Sequence, residues 1–416
     1  MAYLTGLECY LCKTPHAADA SYACEKCLGP LEPVYDYAAV AKALTRETIA
    51  ARPGNLWRYR ELLPIEGDPK TGLHSGWTPL VRASRLAREL GVAELYLKDD
   101  SVNHPTCSYK DRVVSVAATR AVELGLEVFA CASTGNLGNS VAAHAARLGL
   151  ECYVFIPDDL EAGKVVGSAV AHPRVIGIAG NYDDVNRLCT QIGDRHGWGF
   201  ANINLRSYYA EGAKTCGFEI AEQLGWRFPR HVVCPVAGAT LLPRIHRAFE
   251  ELRTIGLVDD DLPRLHAAQA AGCAPVIRAL VSGETHPEPV KPDTIARSIA
   301  IGNPADGYRA LEVVRATGGH GAAVSDEAIL DAIELLASTE GLFTEPAGGA
   351  TLAAARELIA TGAIPRDESI VVCITGNGYK TSELLESRVG HTVRLGKSFR
   401  EFEAYLAGQT EPTVAG

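Results

Sequence analysis

The sequence predicts an α/β fold of two parallel-sheet lobes with helices on both faces, preceded by a small N-terminal metal ribbon. Three observations predict it. From Thr78 onward, short apolar runs alternate with amphipathic stretches of helical length, the pattern of parallel strands covered by helices. The polar segments suited to chemistry follow apolar runs, and such sheets take their ligands in the crevice beyond the carboxyl ends of the strands. Two Cys-x-x-Cys pairs stand close together near the start.

Residues 1–35 contain Cys9-Tyr10-Leu11-Cys12 and Cys24-Glu25-Lys26-Cys27, separated by eleven residues, a spacing that suits four thiolates around one zinc. With no open position, that zinc is expected to be structural. A ribbon without metal and a redox pair are the competing readings, and the redox pair would need a βαβ context missing here. Being remote in sequence from the other motifs, the ribbon is expected to serve stability more than chemistry. Residues 36–75 read as a short helix and a linking loop punctuated by Pro53-Gly54 and Gly67-Asp68-Pro69. Residues 76–400 form the main body, with the change of lobe near 230, and 401–416 a C-terminal tail. In the body, strands are predicted over 94–98, 127–132, 152–157, 175–178, 232–236, 264–269 and 369–375. Helices are predicted over 111–124, 137–148, 184–192, 212–224, 326–338 and 350–360.

Composition narrows the class. The 416 residues, 47% of them hydrophobic, are enough for two lobes and an appendage. A net charge of -10 and a pI near 5.7 argue against a nucleic-acid partner. No apolar run approaches the ~20 residues of a membrane span. The opening Met1-Ala2-Tyr3-Leu4-Thr5 lacks the basic and apolar regions of a secretory signal. Cys131, Cys152, Cys234 and Cys373 sit singly in apolar runs, where a reduced thiol acts as a small hydrophobe, so a cytoplasmic setting is expected.

Three motifs carry the chemistry. Pro105-Thr106-Cys107-Ser108-Tyr109-Lys110-Asp111-Arg112 places a lysine between a turn and a helix, where partial desolvation would release its proton and make it an imine-forming nucleophile. Ala132-Ser133-Thr134-Gly135-Asn136 joins a strand to a helix. Its amides, with the hydroxyls of Ser133 and Thr134, suit a carboxylate, and Asn136 suits a phenolic oxygen. Thr375-Gly376-Asn377-Gly378 ends a buried strand with Thr375 toward the crevice. Taken singly, these are a solvated lysine paired with Asp111, an N-cap and a strand-ending turn; their joint presence in this order favours a site. Ala237-Gly238-Ala239-Thr240, between a strand and a helix, suits a phosphate, though a plain turn reads the same way. Nicotinamide and P-loop fingerprints are missing from the sequence.

These motifs, with Trp57-Arg58-Tyr59, Thr78-Pro79-Leu80, Ala210-Glu211-Gly212-Ala213-Lys214-Thr215, Gln269, Gly272-Cys273-Ala274-Pro275, Thr294-Ile295-Ala296 and Glu345-Pro346-Ala347-Gly348-Gly349, make nearly the whole chain resemble the threonine synthases of the fold-type II pyridoxal phosphate enzymes. The resemblance implies pyridoxal phosphate held by Lys110, Asn136, Thr375 and the Ala237–Thr240 turn. Lys110 would then move protons at the α and β carbons, and the neutral hydroxyl of Thr375 would leave the ring nitrogen unprotonated. It further implies a small amino-acid substrate, with its carboxylate on Ser133, Thr134 and Gly135, its leaving phosphate near Arg206 and Lys214, and a homodimer. Some such chains carry a similar zinc ribbon. His104 as an extra residue, Cys107, Tyr109, Ala237 and Ala239 depart from the family pattern. They keep open a β-replacement or β-elimination enzyme resembling cysteate synthase or serine/threonine dehydratase. Arg58, residues 211–215 and residues 294–296 favour threonine synthase. A non-catalytic zinc-ribbon adaptor is a more distant reading, opposed by the intact Lys110, Asn136 and Thr375.

Overall fold

In the computed structural model, the described residues are 3–21, 23–133, 135–158, 162–180, 182–389, 392–408 and 413–414. The chain divides into two compact units, one ending at Lys380 and one beginning at Thr381.

The N-terminal segment is a three-stranded antiparallel sheet of β1 (Leu4–Cys9), β2 (Pro15–His16) and β3 (Leu31–Tyr35) in the order β2-β1-β3. Leu31, Pro33 and Tyr35 point inward and Glu32 and Val34 do not, the period of two expected of a half-buried strand. Residues 36–62 are more than a link. Asp36 and Thr45 cap helices at Tyr37–Ala43 and Arg46–Ala50, and a 3-10 turn at Leu56–Leu62 buries Leu56, Tyr59 and Leu62 completely.

The body holds two sheets. The larger contains β4 (Leu80–Arg82) and β5 (Glu94–Asp99); the smaller is built from β6 (Val128–Ala132), β7 (Glu151–Pro157), β8 (Arg174–Ile178) and β9 (Gly199–Phe200). The chain then returns to the larger sheet with β10 (His231–Pro235), β11 (Arg264–Ala270), β12 (Gly321–Val324) and β13 (Ser369–Ile374). The orders are β12-β11-β10-β13-β5-β4 and β8-β7-β6-β9. All pairings are parallel except β4 on β5, which is antiparallel. The smaller lobe is thus an insertion between β5 and β10, and the crossing near residue 230 is the second of two. After their first residues, β10 and β13 read as apolar runs because helices cover both of their faces.

A buried ionic cluster joins the lobes. Arg112, fully enclosed, reaches Asp100 at 2.7 Å and Glu219 at 2.8 Å, while Lys98 Nζ lies 2.7 Å from the same Glu219 carboxylate. Glu219 also accepts the backbone N–H groups of Trp77 (2.7 Å) and Thr78 (3.2 Å). The second unit contains β14 (Val393–Arg394) paired antiparallel with β15 (Thr413–Val414), and a helix at Phe399–Leu406 that exposes Phe399 and Leu406.

Candidate active site

A crevice opens at the carboxyl ends of β6, β10 and β13, where Ala132, Pro235 and Thr375 lie on its wall. Lys110 enters it as the first residue of the helix Lys110–Glu123. Its place is set by main-chain bonds to the end of β13: Tyr109 N–H donates to the Thr375 carbonyl at 2.9 Å, and Ser108 forms a bridge with Gly376. One hydrogen-bonded joint therefore holds Lys110 and Thr375 together, although 264 residues lie between them in the chain.

Lys110 Nζ donates to the hydroxyls of Tyr109 (2.9 Å) and Tyr209 (3.2 Å). Asp111 is not its partner; that carboxylate accepts from Thr106 and Ser140. Burial works against the charged amine, but the two phenols outweigh it and raise Lys110 above the ordinary lysine value. Burial thus favours the expected loss of the Lys110 proton, and the two phenols oppose it.

Asn136 starts the helix Asn136–Leu148 and lines the crevice. Its amide donates to both Glu345 carboxylate oxygens (2.9 and 3.0 Å), and its oxygen accepts from Lys380 at 2.8 Å. Glu345 lies so close to Gly376 that a Cβ there would come within 2.2 Å of its carboxylate, so a larger residue after Thr375 would push that side chain aside. Ser133 and Gly135 also line the crevice, with the Ser133 hydroxyl accepting from the N–H groups of Gly135 (3.1 Å) and Gly138 (2.7 Å). Thr134 lies outside the described residues. Ala237, Gly238, Ala239 and Thr240 border the crevice ahead of the helix Leu241–Thr254, with Ala239 in the left-handed region at φ 67°. That strained turn brings main chain to a helix start, an arrangement suited to a phosphate.

Of the two cations expected near a leaving phosphate, Arg206 is on the crevice wall, ion-paired with Asp306 at 2.6 Å. Lys214 is not, and its expected role is corrected. It is fully buried, with Nζ 2.6 Å from Glu211 and 2.9 Å from Glu251, so its charge is already neutralised inside the protein. The crevice also contains Tyr182, Asn186 and Asn202, whose side chains meet where the Asn202 amide donates to the Ala132 carbonyl (3.2 Å) and the Tyr182 hydroxyl (3.3 Å). No motif marked these three. Tyr209 had one usable signal, a position one helical turn after Arg206.

This set fits pyridoxal phosphate: an amine for the aldehyde, a neutral hydroxyl at the end of β13, and a helix-start turn for the phosphate. In the ribbon, the sulfurs of Cys9, Cys12, Cys24 and Cys27 all lie within 4.8 Å of one another. Zinc–sulfur bonds of ~2.3 Å place tetrahedral sulfurs ~3.8 Å apart, so the four fit one zinc.

The fold and crevice define a pyridoxal phosphate enzyme with two α/β lobes. The chain belongs to the family described as pyridoxal-phosphate dependent enzyme, whose model matches residues 72–376. It is 40% identical over 377 residues to the threonine synthase of Methanocaldococcus jannaschii, covering 90% of this chain and 92% of that one. With the threonine synthase of Methanosarcina acetivorans the identity is 37%, over 89% of this chain and 91% of the other. Among solved structures it is similar to a fungal L-serine ammonia-lyase from Rhizomucor miehei, with a TM-score of 0.62, 24% identity and coverage of 73% of this chain and 95% of that one. It is also similar to maize serine racemase, with a TM-score of 0.62, 20% identity and coverage of 76% and 93%. These two likenesses concern the fold.

Proposed function

We propose that the protein is a pyridoxal phosphate-dependent threonine synthase, a carbon–oxygen lyase that converts O-phosphohomoserine and water to threonine and phosphate. The observation that carries this reading is the Lys110 amine in the crevice, within hydrogen-bond reach of Tyr209 and joined through Tyr109 to the end of β13. Likeness to threonine synthases along nine-tenths of the chain supports the substrate.

Bound pyridoxal phosphate supplies an aldehyde for the lysine and an electron sink for carbanions beside the substrate nitrogen. Lys110 would hold the group and, as a free amine, would take protons from the α and β carbons and return them to the γ carbon, which becomes the methyl group, and to the α carbon. Tyr109 and Tyr209 keep its amine aimed into the crevice. Thr375 offers the ring nitrogen a hydroxyl in place of a carboxylate. Asn136 orients the ring oxygen, and Ala237, Gly238, Ala239 and Thr240 hold the phosphate ester. Ser133, Thr134 and Gly135 receive the substrate carboxylate. Arg206, sharing its charge with Asp306, steadies the phosphate that departs from the γ carbon with the electrons of the broken C–O bond. Water then adds its hydroxyl to the β carbon. Zinc on Cys9, Cys12, Cys24 and Cys27, with no open position, stays structural.

The free buried thiols Cys131, Cys234 and Cys373 support a reducing, cytoplasmic setting. The family likeness supports a homodimer, which sedimentation would measure. The deciding experiment incubates the loaded protein with O-phosphohomoserine, O-phosphoserine or threonine and follows phosphate, threonine and keto acid. Phosphate and threonine in equal amounts from O-phosphohomoserine alone are expected. Keto acid from threonine, or phosphate from O-phosphoserine alone, would assign it to the β-elimination or β-replacement enzymes instead.

A further inference from the structure

The helix Arg206–Gly212 carries two crevice residues, Arg206 and Tyr209, three positions apart and so on one face. Its other face meets the N-terminal segment. Ser207 Oγ donates to the Leu31 carbonyl at 2.8 Å, Tyr208 Oη donates to the Asp19 carbonyl at 2.7 Å, and Tyr35 Oη donates to Glu211 Oε2 at 2.8 Å. Ser207, Tyr208, Glu211 and Tyr35 are all buried. At the end of the helix, a Cβ on Gly212 would come within 2.4 Å of the Arg112 carbonyl, so the helix also presses on the helix that begins with Lys110.

Charge ties the two parts further. Glu32 of β3 accepts from Arg244 (2.8 Å), Arg309 (2.7 Å) and Arg247 (3.2 Å), while Arg244 also holds Glu211 at 2.9 Å. The ribbon thus adds one carboxylate to a cluster of body arginines and three hydrogen bonds to a seven-residue helix. A ribbon of ~30 residues has too little apolar core to fold alone; here Leu7 and Leu31 join the core of the body, and zinc would add a second tie.

We propose that the ribbon is the positioning element of the active-site helix: Asp19, Leu31, Glu32 and Tyr35 fix Arg206–Gly212 so that Tyr209 stays on the Lys110 amine, and zinc acts on the crevice through that contact. Sequence distance from Lys110 points to stability or subunit association more than chemistry. The contacts at Tyr208 and Glu211 give the ribbon a second role. Tyr35 and Tyr208 are positioning residues, since neither touches the crevice.

The test uses the zinc- and cofactor-loaded protein and a Tyr35→Phe/Tyr208→Phe variant, which keeps all four cysteines. Three quantities are read: amide exchange over residues 206–212, the pH midpoint of the cofactor's visible band, and kcat separately from KM. Losing two buried hydrogen bonds is expected to speed exchange in that helix by about 5- to 30-fold. The band midpoint should move and kcat should fall, with zinc content unchanged. Removing zinc from the parent by chelation should reproduce the exchange and band changes. Unchanged exchange and an unchanged band midpoint in the variant, or zinc removal that alters neither, would overturn the proposal. Should the double variant fail to fold, Tyr35→Phe alone gives the same readings with one hydroxyl lost. Resting on the crevice as the cofactor site, the proposal is separable from it: a parent that shows no visible band, or a band that survives Lys110→Ala, would sink the cofactor reading, whereas the exchange measurement reads the helix itself.

Discussion

Replacing Glu219 by Gln should destabilise the protein strongly while preserving its shape. Trp77 N–H and Thr78 N–H donate to different carboxylate oxygens, so a glutamine, with one oxygen, keeps one of these bonds and loses the other along with the charge between Arg112 and Lys98. Burial alone would raise this carboxyl, yet Arg112 and Lys98 hold it down from the ordinary 4.5 to about 2. At 1.36 kcal/mol per pH unit, that depression corresponds to about 3 kcal/mol at neutral pH. Breaking a buried pair by removing one partner typically costs about 3–5 kcal/mol, in agreement. An acid with a depressed folded value gives stability that is full above its unfolded value and is lost as pH falls toward the folded one. The window therefore runs from about 4.5 down to about 2. The parent's advantage over Glu219→Gln should be about 3 kcal/mol at pH 7 and about 1 kcal/mol smaller at pH 4. Urea unfolding at the two pH values measures both. A difference below about 1 kcal/mol at pH 7, or one that does not shrink at pH 4, would refute the ion-pair account.

Lys110→Ala should cut turnover by at least roughly 10²- to 10⁴-fold, since acid–base catalysis goes with the amine, while circular dichroism stays unchanged because alanine suits a helix start. Thr375→Asp should lower turnover more than cofactor affinity, as a carboxylate would protonate the ring nitrogen; absorbance titration beside steady-state kinetics separates the two. Arg206→Ala should raise KM for O-phosphohomoserine with little loss of stability, whereas Lys214→Met should cost about 3–5 kcal/mol of stability by leaving Glu211 and Glu251 facing each other. Metal analysis should find one zinc per chain, absent from a Cys24→Ser/Cys27→Ser variant.

The parts of the fold that the sequence made legible are those with local causes. Strands such as Val128–Ala132 and Ser369–Ile374 are apolar along almost all of their length because they are covered on both sides, and the turns carrying Ser133 and Thr375 follow them directly. Leu80–Arg82 is only three residues long and antiparallel at an edge, too short for a pattern. The expected helix over 212–224 is Lys214–Gln223, but the helix before it, Arg206–Gly212, was not expected; the Ser-Tyr-Tyr stretch looks irregular until the ribbon covers it. Lys214 and Arg206 have similar charge and neighbouring positions, but only the three-dimensional placement of Glu251 and Asp306 shows which one is enclosed. Tyr182, Asn186 and Asn202 come together through the packing of the Tyr182–His196 helix, with no motif to announce them.

Because β13 lies between β10 and β5 in the larger sheet, that sheet has a gap at its centre until residues 369–374 have been made. The smaller sheet, drawn wholly from residues 128–200, needs no later strand. During synthesis the inserted lobe can therefore fold early, while the side of β5 away from β4 waits for a neighbour that begins at residue 369, a long-range pairing of the slow kind. Thr375 and the main-chain grip on Tyr109 arrive with that same strand. A growing chain cannot hold its cofactor in the finished geometry before the larger lobe closes, so acquisition of the cofactor's colour would time the last step of this protein's maturation.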